Sequence, residues 1–260
     1  MKKIGFIGVG AMNQAIIKGL LLANPTLEED ILLSNRNRKK AENFASHSKM
    51  KVVPSNIELV QQADIIFLGV KPYQFHDLAR KLIDHVKKET IIVSMLTKIS
   101  IEELEKHFSK DLQIIRIMPN LACQVIEGIT MLTFGTSVKE STKEYIKDLL
   151  STISFVDEVH EEEMELGTVL SGSSPAFIAM FMEALADGAV DQGMNRKKAY
   201  LYLSKTLQGT GKLLESFHPG ELKDLVSSPS GLTIRGVKYL EEAHFRSIVL
   251  HVLEKSMDKE

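Results

Sequence analysis

The chain has 260 residues, 44% of them hydrophobic and 25% charged. That length and composition support one large or two modest cores and exclude an intrinsically disordered chain. Near-balanced charge (32 Lys plus Arg against 34 Asp plus Glu) argues against a dedicated nucleic-acid or anionic-membrane binder, and a single cysteine, Cys123, excludes an intramolecular disulfide.

The N-terminal apolar run is broken by Gly5, Gly8, Gly10 and Asn13. It reads as strand, turn and helix rather than as a signal peptide, and the protein is expected in the cytoplasm. In chain order, strands are predicted at residues 3–7, 31–34, 63–70, 90–95, 114–118 and 129–134, with helical spacing at 12–23 and 39–46. Short apolar strands alternating with helices predict an α/β domain with a mostly parallel sheet covered on both faces. The pattern changes at the acidic stretch 157–165, read as a solvated helix start whose acids complement the helix dipole. Beyond it only helices are predicted: 161–170, 175–192, 196–216, a short turn at 220–226, and 233–255. The domains are therefore expected at 1–157 and 158–260. The uncharged stretch 166–182 holds two glycines, four Ser or Thr and Pro175, and is read as too short and interrupted to span a bilayer. The segment 176–190 carries only Glu183 and Asp187 as charges. A helix so apolar needs cover on most sides, and a subunit interface is favoured over neighbouring helices of the same chain.

The sequence Gly5-Phe-Ile-Gly8-Val9-Gly10-Ala11-Met12-Asn13 follows a strand and opens a helix, the context of a Rossmann dinucleotide fingerprint. Gly8 permits the tight turn, Gly10 lets the backbone approach a pyrophosphate, and the helix start offers free N–H groups. Asn13 replaces the third small residue, so looser or shifted helix–strand packing is expected. After the second strand, Ser34-Asn35-Arg36 contains no acid to hold a ribose diol, and its hydroxyl, amide and guanidinium donors suit the 2′-phosphate of NADP. Gly69-Val70-Lys71-Pro72 ends the next buried strand at the ligand edge of such a sheet. Lys71 is read either as a surface charge or as facing the cofactor. Asn120, at the end of a later strand, has the donor and acceptor that a nicotinamide carboxamide needs. The eight histidines show no metal-ligand spacing, and no metal site is expected.

Ser228-Pro229-Ser230-Gly231 precedes a helix starting near Leu232. Its small residues expose backbone N–H groups at a helix N-terminus, a seat for a carboxylate. Thr233 places a hydroxyl beside that seat, and is otherwise a helix N-cap.

Taken together, Gly5 to Met12, Gly69-Val-Lys71-Pro72, Met118-Pro-Asn120, Ser171-Gly-Ser-Ser-Pro-Ala176 and Val226-Ser-Ser-Pro-Ser-Gly-Leu-Thr233 resemble the pyrroline-5-carboxylate reductase family from end to end. The resemblance implies NADPH-dependent (or NADH-dependent) reduction of 1-pyrroline-5-carboxylate to L-proline. It implies a Rossmann-like domain followed by an all-α dimerisation domain, and dimers that in the family often assemble into decamers. It places the cofactor on Gly8 to Met12, Ser34, Asn56, Val70 to Pro72 and the loop after Ser94. The substrate falls under the loop ending at Thr233, supplied by the partner subunit. Five positions depart from the pattern. Thr97-Lys98 stands for Ala-Gly, Ser174 and Ser230 for glycines, and Leu225 for Asn. These departures keep two alternatives open, a paralogue reducing another cyclic imine and a non-catalytic dinucleotide-binding regulatory protein.

Overall fold

The strands of the first half are continuous apolar runs, and burial on both faces is what such runs require. In the computed structural model, which describes residues 2–109 and 111–257, those runs form one sheet. The elements are β1 (Ile4–Ile7), α1 (Ala11–Ala23), β2 (Ile31–Ser34), α2 (Arg38–Ala45), β3 (Lys51–Val52), α3 (Asn56–Gln62), β4 (Ile65–Leu68), α4 (Phe75–Leu82), β5 (Ile91–Ser94), α5 (Ile101–Phe108), β6 (Gln113–Pro119), β7 (Gly128–Phe134), α6 (Glu140–Ser151) and β8 (Ser154–Glu158). Helices follow: α7 (Glu163–Thr168), α8 (Ser174–Asp191), α9 (Arg196–Leu214), α10 (Pro219–Leu225), α11 (Leu232–Glu242) and α12 (Phe245–Met257).

The strand order is β3-β2-β1-β4-β5-β6-β7-β8. All neighbours are parallel except β6 and β7, which run antiparallel. One face is packed by Phe6, Ile16, Ile17, Leu20, Phe67 and their neighbours, with the Phe6 and Phe67 rings stacked at 4.8 Å. The other is packed by Ile7, Leu59, Leu68, Phe75, Leu104 and Phe108. Burial of every residue in the central strands, which are covered on both sides, is the reason the sequence shows no alternation there. The expected strands and parallel sheet are present, and so are the expected helices except the last: the helix expected at 233–255 is two, α11 and α12, separated at His244, whose φ is +59°. Two short strands, β3 and β8, were not legible: β3 has two residues, and β8 reads Ser-Phe-Val-Asp-Glu with Phe155 exposed.

The chain divides into two compact units, residues 1–172 and 173–260. The division falls later than the expected boundary at 157/158 because α7 belongs to the sheet's side of it. Met164 of α7 is fully buried against Met118 of β6 and Met131 of β7. The acidic stretch is likewise not merely solvated. Glu161 accepts the Ile101 backbone N–H at 2.9 Å and the Arg116 Nη1 donor at 2.7 Å, so this acid complements the dipole of α5 and not of its own helix.

From α7 through a π-helical turn at Val169–Ser173 into α8, the helical run Glu163–Asp191 is continuous for 29 residues. By length and composition alone it is long and apolar enough to cross a membrane, a test that core helices of soluble proteins also pass, and it extends beyond the 166–182 stretch on which the expectation was read. The wider helical turn absorbs the Ser-Gly-Ser segment, and Pro175, inside the continuous run, lacks the N–H that an α-helical ladder would donate to the Ser171 carbonyl, which accepts Asn120 Nδ2 instead. Within the second unit α8 packs on α9, and Phe181 meets Phe245 at 5.9 Å. Ile178, Met180, Phe181 and Leu185 remain substantially exposed in the single chain.

Candidate active site

The dinucleotide turn is held from three sides. Gly8 has φ +88°, a conformation open to glycine, and its N–H donates to the Ser34 carbonyl at 2.7 Å. A Cβ on Gly8 would sit 2.6 Å from the Gly69 carbonyl oxygen. Val9 donates its N–H to Asn35 Oδ1 at 2.9 Å, and Asn35 Nδ2 donates to the Asn37 carbonyl. Gly10 is the N-cap of α1 without a side-chain cap, so the first-turn amides at Ala11 and Met12 face outward from a positive dipole end.

Asn13 overturns its expected effect. It is buried, and its Nδ2 donates to the carbonyls of Gly8 at 2.6 Å and Ile7 at 3.3 Å. The packing is tight rather than loose. Room for the amide comes from Gly69, where a Cβ would lie 2.3 Å from Asn13 Nδ2. Asn13 Oδ1 is left without a partner. A large polar residue at the third fingerprint position, facing a glycine after β4, was the sequence signal for this contact.

Ser34 at the end of β2 is buried, and its Oγ donates to Asn56 Oδ1 at 2.6 Å. Two residues that were expected in the cofactor site, one from β2 and one from α3, are thereby brought together. Arg36 is exposed beside them and makes no ion pair among the described residues. Lys71 is exposed, and its backbone N–H is capped by Gln74 Oε1 as Pro72 opens a short 3-10 turn. Gly69, Val70 and Pro72 lie half-buried along the same edge.

Asn120 serves the protein's own backbone. Its Nδ2 donates to the Ser171 carbonyl at 3.1 Å and its Oδ1 accepts the Ile129 N–H at 3.2 Å. This side chain ties β7 and the π-helical turn to β6, engaging one donor and one acceptor of the amide that was expected to read a carboxamide. Cys123 is buried next to Thr130, and burial pushes its thiol up, the setting of a packed residue rather than a nucleophile.

In the second unit, the loop before α11 is a turn closed by the Gly231 N–H donating to the Ser228 carbonyl at 3.0 Å. A Cβ on Gly231 would meet Ser228 Oγ, a hydroxyl that can rotate away, at 2.4 Å and the Ser228 carbonyl oxygen at a tight 3.1 Å. Gly231 is the N-cap and makes no side-chain cap bond. Thr233 is therefore one residue inside the helix and not its cap, and its exposed hydroxyl has no partner among the described residues. Ser228, Pro229, Ser230 and Leu232 are at least partly exposed around amides at the start of an eleven-residue helix. Two of the five departures share a backbone signature. Lys98 has φ +63° and Ser230 has φ +58°, so both occupy left-handed positions where glycine is the unstrained residue.

Comparison with known proteins decides the family. A family model described as pyrroline-5-carboxylate reductase dimerisation matches residues 161–260, and one described as NADP oxidoreductase, coenzyme F420-dependent, matches residues 3–98. The chain is 34% identical to the pyrroline-5-carboxylate reductase of Methanosarcina acetivorans, covering 99% of this chain and 96% of the relative. The chain belongs to the pyrroline-5-carboxylate reductase family. The Escherichia coli reductase is also 34% identical, over 99% of this chain and 97% of its own. Among solved structures, the Streptococcus pyogenes 1-pyrroline-5-carboxylate reductase superposes with a TM-score of 0.89 at 32% identity, covering 99% and 97% of the two chains. The Plasmodium falciparum pyrroline carboxylate reductase with NADP bound gives 0.89 at 26% identity, covering 98% and 95%. Members of this reductase family thus share the whole two-part architecture, the Rossmann-like sheet and the helical dimerisation region.

Proposed function

We propose that the protein reduces 1-pyrroline-5-carboxylate to L-proline with NADPH. Family membership over the full chain supports this reading, and the Gly8 turn, shaped by positive φ and by the Gly69 carbonyl, is the observation that carries the cofactor half of it. The turn Gly8-Val9-Gly10 and the amides of Ala11 and Met12 seat the pyrophosphate. Ser34, held by Asn56, and the free guanidinium of Arg36 hold the 2′-phosphate, with Asn35 fixing the turn from behind. Gly69, Val70, Lys71 and Pro72 form the edge along which the cofactor extends.

When bound, the reduced nicotinamide supplies the hydride that adds to the imine carbon. The ring nitrogen enters protonated, so the carbon is already electrophilic and the product amine needs no further proton from a strong acid. The chain's task is positioning. The backbone N–H groups of Ser230, Leu232 and Thr233 hold the substrate carboxylate at the start of α11, and the Thr233 hydroxyl hydrogen-bonds at the ring nitrogen. The helix α8 carries no Lys, Arg or His, the groups that carbonyl reduction commonly asks for.

Dimers form through the C-terminal helices, with the exposed apolar residues of α8 covered by a second copy, and assemble further into decamers. The enzyme is cytoplasmic and not membrane-bound; Glu183 and Asp187 interrupt the apolar run 163–191, and Glu163 and Glu165 lie at its start. Sedimentation and cell fractionation test these assignments. NADPH oxidation with 1-pyrroline-5-carboxylate, measured beside Thr233→Ala, tests the reaction. Rapid turnover in the wild type and a loss of kcat in a variant with an unchanged melting temperature are expected. No turnover, with NADPH still bound, overturns the reading. Activity on another cyclic imine alone favours the divergent paralogue, the alternative that the strain at Lys98 and Ser230 supports.

A further inference from the structure

The helices α4 and α5 carry a cluster that the reduction does not use. Glu103 and His107 are four residues apart on α5 and therefore share one face. His76, in the first turn of α4, comes to that face across the helix pair. His76 Nδ1 lies 3.0 Å from His107 Nε2, and His76 Nε2 lies 3.4 Å from Glu103 Oε1. One ligating atom from each of the three residues falls within 4.8 Å of the others.

The frame beneath them is rigid. Phe75 and Phe108, the chain neighbours of His76 and His107, are fully buried with ring centroids 5.9 Å apart. The Phe75 ring meets His107 edge-on at 5.5 Å and His76 at 5.4 Å, which limits the swing of both imidazoles. Side chains held on packed helices are the setting in which a ligand geometry persists without its ion. At the same time the cluster is open: His76 is exposed, and Glu103 and His107 are half-buried.

We propose that His76, Glu103 and His107 form a surface site for one divalent cation of the zinc class. With metal–nitrogen bonds of about 2.0–2.1 Å, two nitrogens on one ion lie about 2.9–3.4 Å apart between square and tetrahedral angles. The 3.0 Å between His76 Nδ1 and His107 Nε2 is in that range; Glu103 meets the other nitrogen of the His76 ring, so its flexible side chain turns to reach an ion held by that pair. Two imidazoles and one carboxylate make a borderline donor set, suited to Zn, Ni or Cu and unsuited to Mg or Ca, whose ligands are oxygens. The carboxylate supplies charge, and three protein ligands leave a fourth position to water. Histidine spacing in the sequence gave no sign of the site, because the third ligand arrives from a separate helix and only the fold brings it to the Glu103–His107 pair.

The test uses the full chain, stripped of metal and titrated with zinc chloride by calorimetry, with cobalt(II) absorption as a second probe. Saturation at one equivalent per chain is expected, with a cobalt band of a low-coordinate site. His76→Gln and His107→Ala each weaken binding by roughly tenfold or more, since loss of an outer-shell partner alone costs that much. Turnover with NADPH is unaffected. Glu103→Gln keeps size and shape, and carries the test if a histidine variant fails to fold. Absence of saturable binding at one equivalent, or unchanged affinity in variants that retain the wild-type melting temperature, overturns the proposal.

Discussion

Replacing Gly8 and Gly10 separately by alanine distinguishes what the dinucleotide turn does for the fold from what it does for the cofactor. At Gly8 the new Cβ would stand 2.6 Å from the Gly69 oxygen and 3.1 Å from the Gly69 carbonyl carbon, both backbone atoms. Gly69 cannot easily retreat, because its own N–H donates to the Ile7 carbonyl at 2.9 Å. The positive φ costs an L-residue about 1–2 kcal/mol. Forcing a methyl into a filled site costs a further ~1–3 kcal/mol. For a domain of this size each kcal/mol moves the melting temperature by about 2–4 °C, so a fall of roughly 4–20 °C is expected for Gly8→Ala. At Gly10 the backbone is extended, with φ −81°, and a Cβ would meet only the Gly69 oxygen at an ordinary 3.9 Å. Gly10→Ala should melt within about 2 °C of wild type. Its KM for NADPH should rise by about tenfold or more, because the methyl points where the pyrophosphate approaches. Thermal unfolding without cofactor and NADPH kinetics read the two effects. A Gly8→Ala protein with wild-type melting temperature and wild-type KM would refute the reasoning, since the turn would then be free to relax.

Three other outcomes follow from the same structure. Ser230→Gly and Lys98→Gly each release about 1–2 kcal/mol of left-handed strain against about 0.4–1 kcal/mol of added freedom in the unfolded chain. Each variant should therefore melt slightly higher, and the two gains should add in the double variant because the residues lie in different units. Arg36→Ala should raise the KM for NADPH roughly tenfold or more while leaving NADH kinetics unchanged, a selectivity that steady-state comparison of the two cofactors reads directly. Cys123 should be unreactive to a thiol reagent in the native protein and react stoichiometrically once unfolded. Because burial raises its folded pKa above the unfolded value, its contribution to stability is complete below the ordinary thiol range and is lost as pH rises through and above it, which urea melts between pH 7 and 10 check.

The parallel sheet was legible because its strands are unbroken apolar runs separated by helical spacing, and no other arrangement buries both sides of such runs. The turn at Gly8 was legible because glycine spacing, strand and helix coincide there. Legibility failed where a side chain's partner lies far along the chain. Asn13 and Gly69 are meaningful only as a pair, and so are Ser34 and Asn56. Asn120 has the chemistry of a ligand contact, yet its amide serves Ser171 and Ile129, a choice that type and position alone do not reveal. The strain at Ser230 and Lys98 was visible only as glycine's absence from a resembling pattern, until the backbone angles gave it a physical cause.

The strand order sets a schedule for synthesis. Once β1 and β2 have left the ribosome, β3 closes one side of the sheet, and every later strand finds its neighbour already made: β4 on β1, then β5, β6, β7 and β8 in turn. From β4 onward growth is in one direction and the growing margin is the strand just completed; β1 alone waits with an open edge, while β2 and β3 are made, for a partner that begins at Ile65. Adding each later strand directly to the last limits the interval in which margins of two chains can pair with each other. The last margin, β8, is short and ends in Asp157 and Glu158, so the sheet stops on charge.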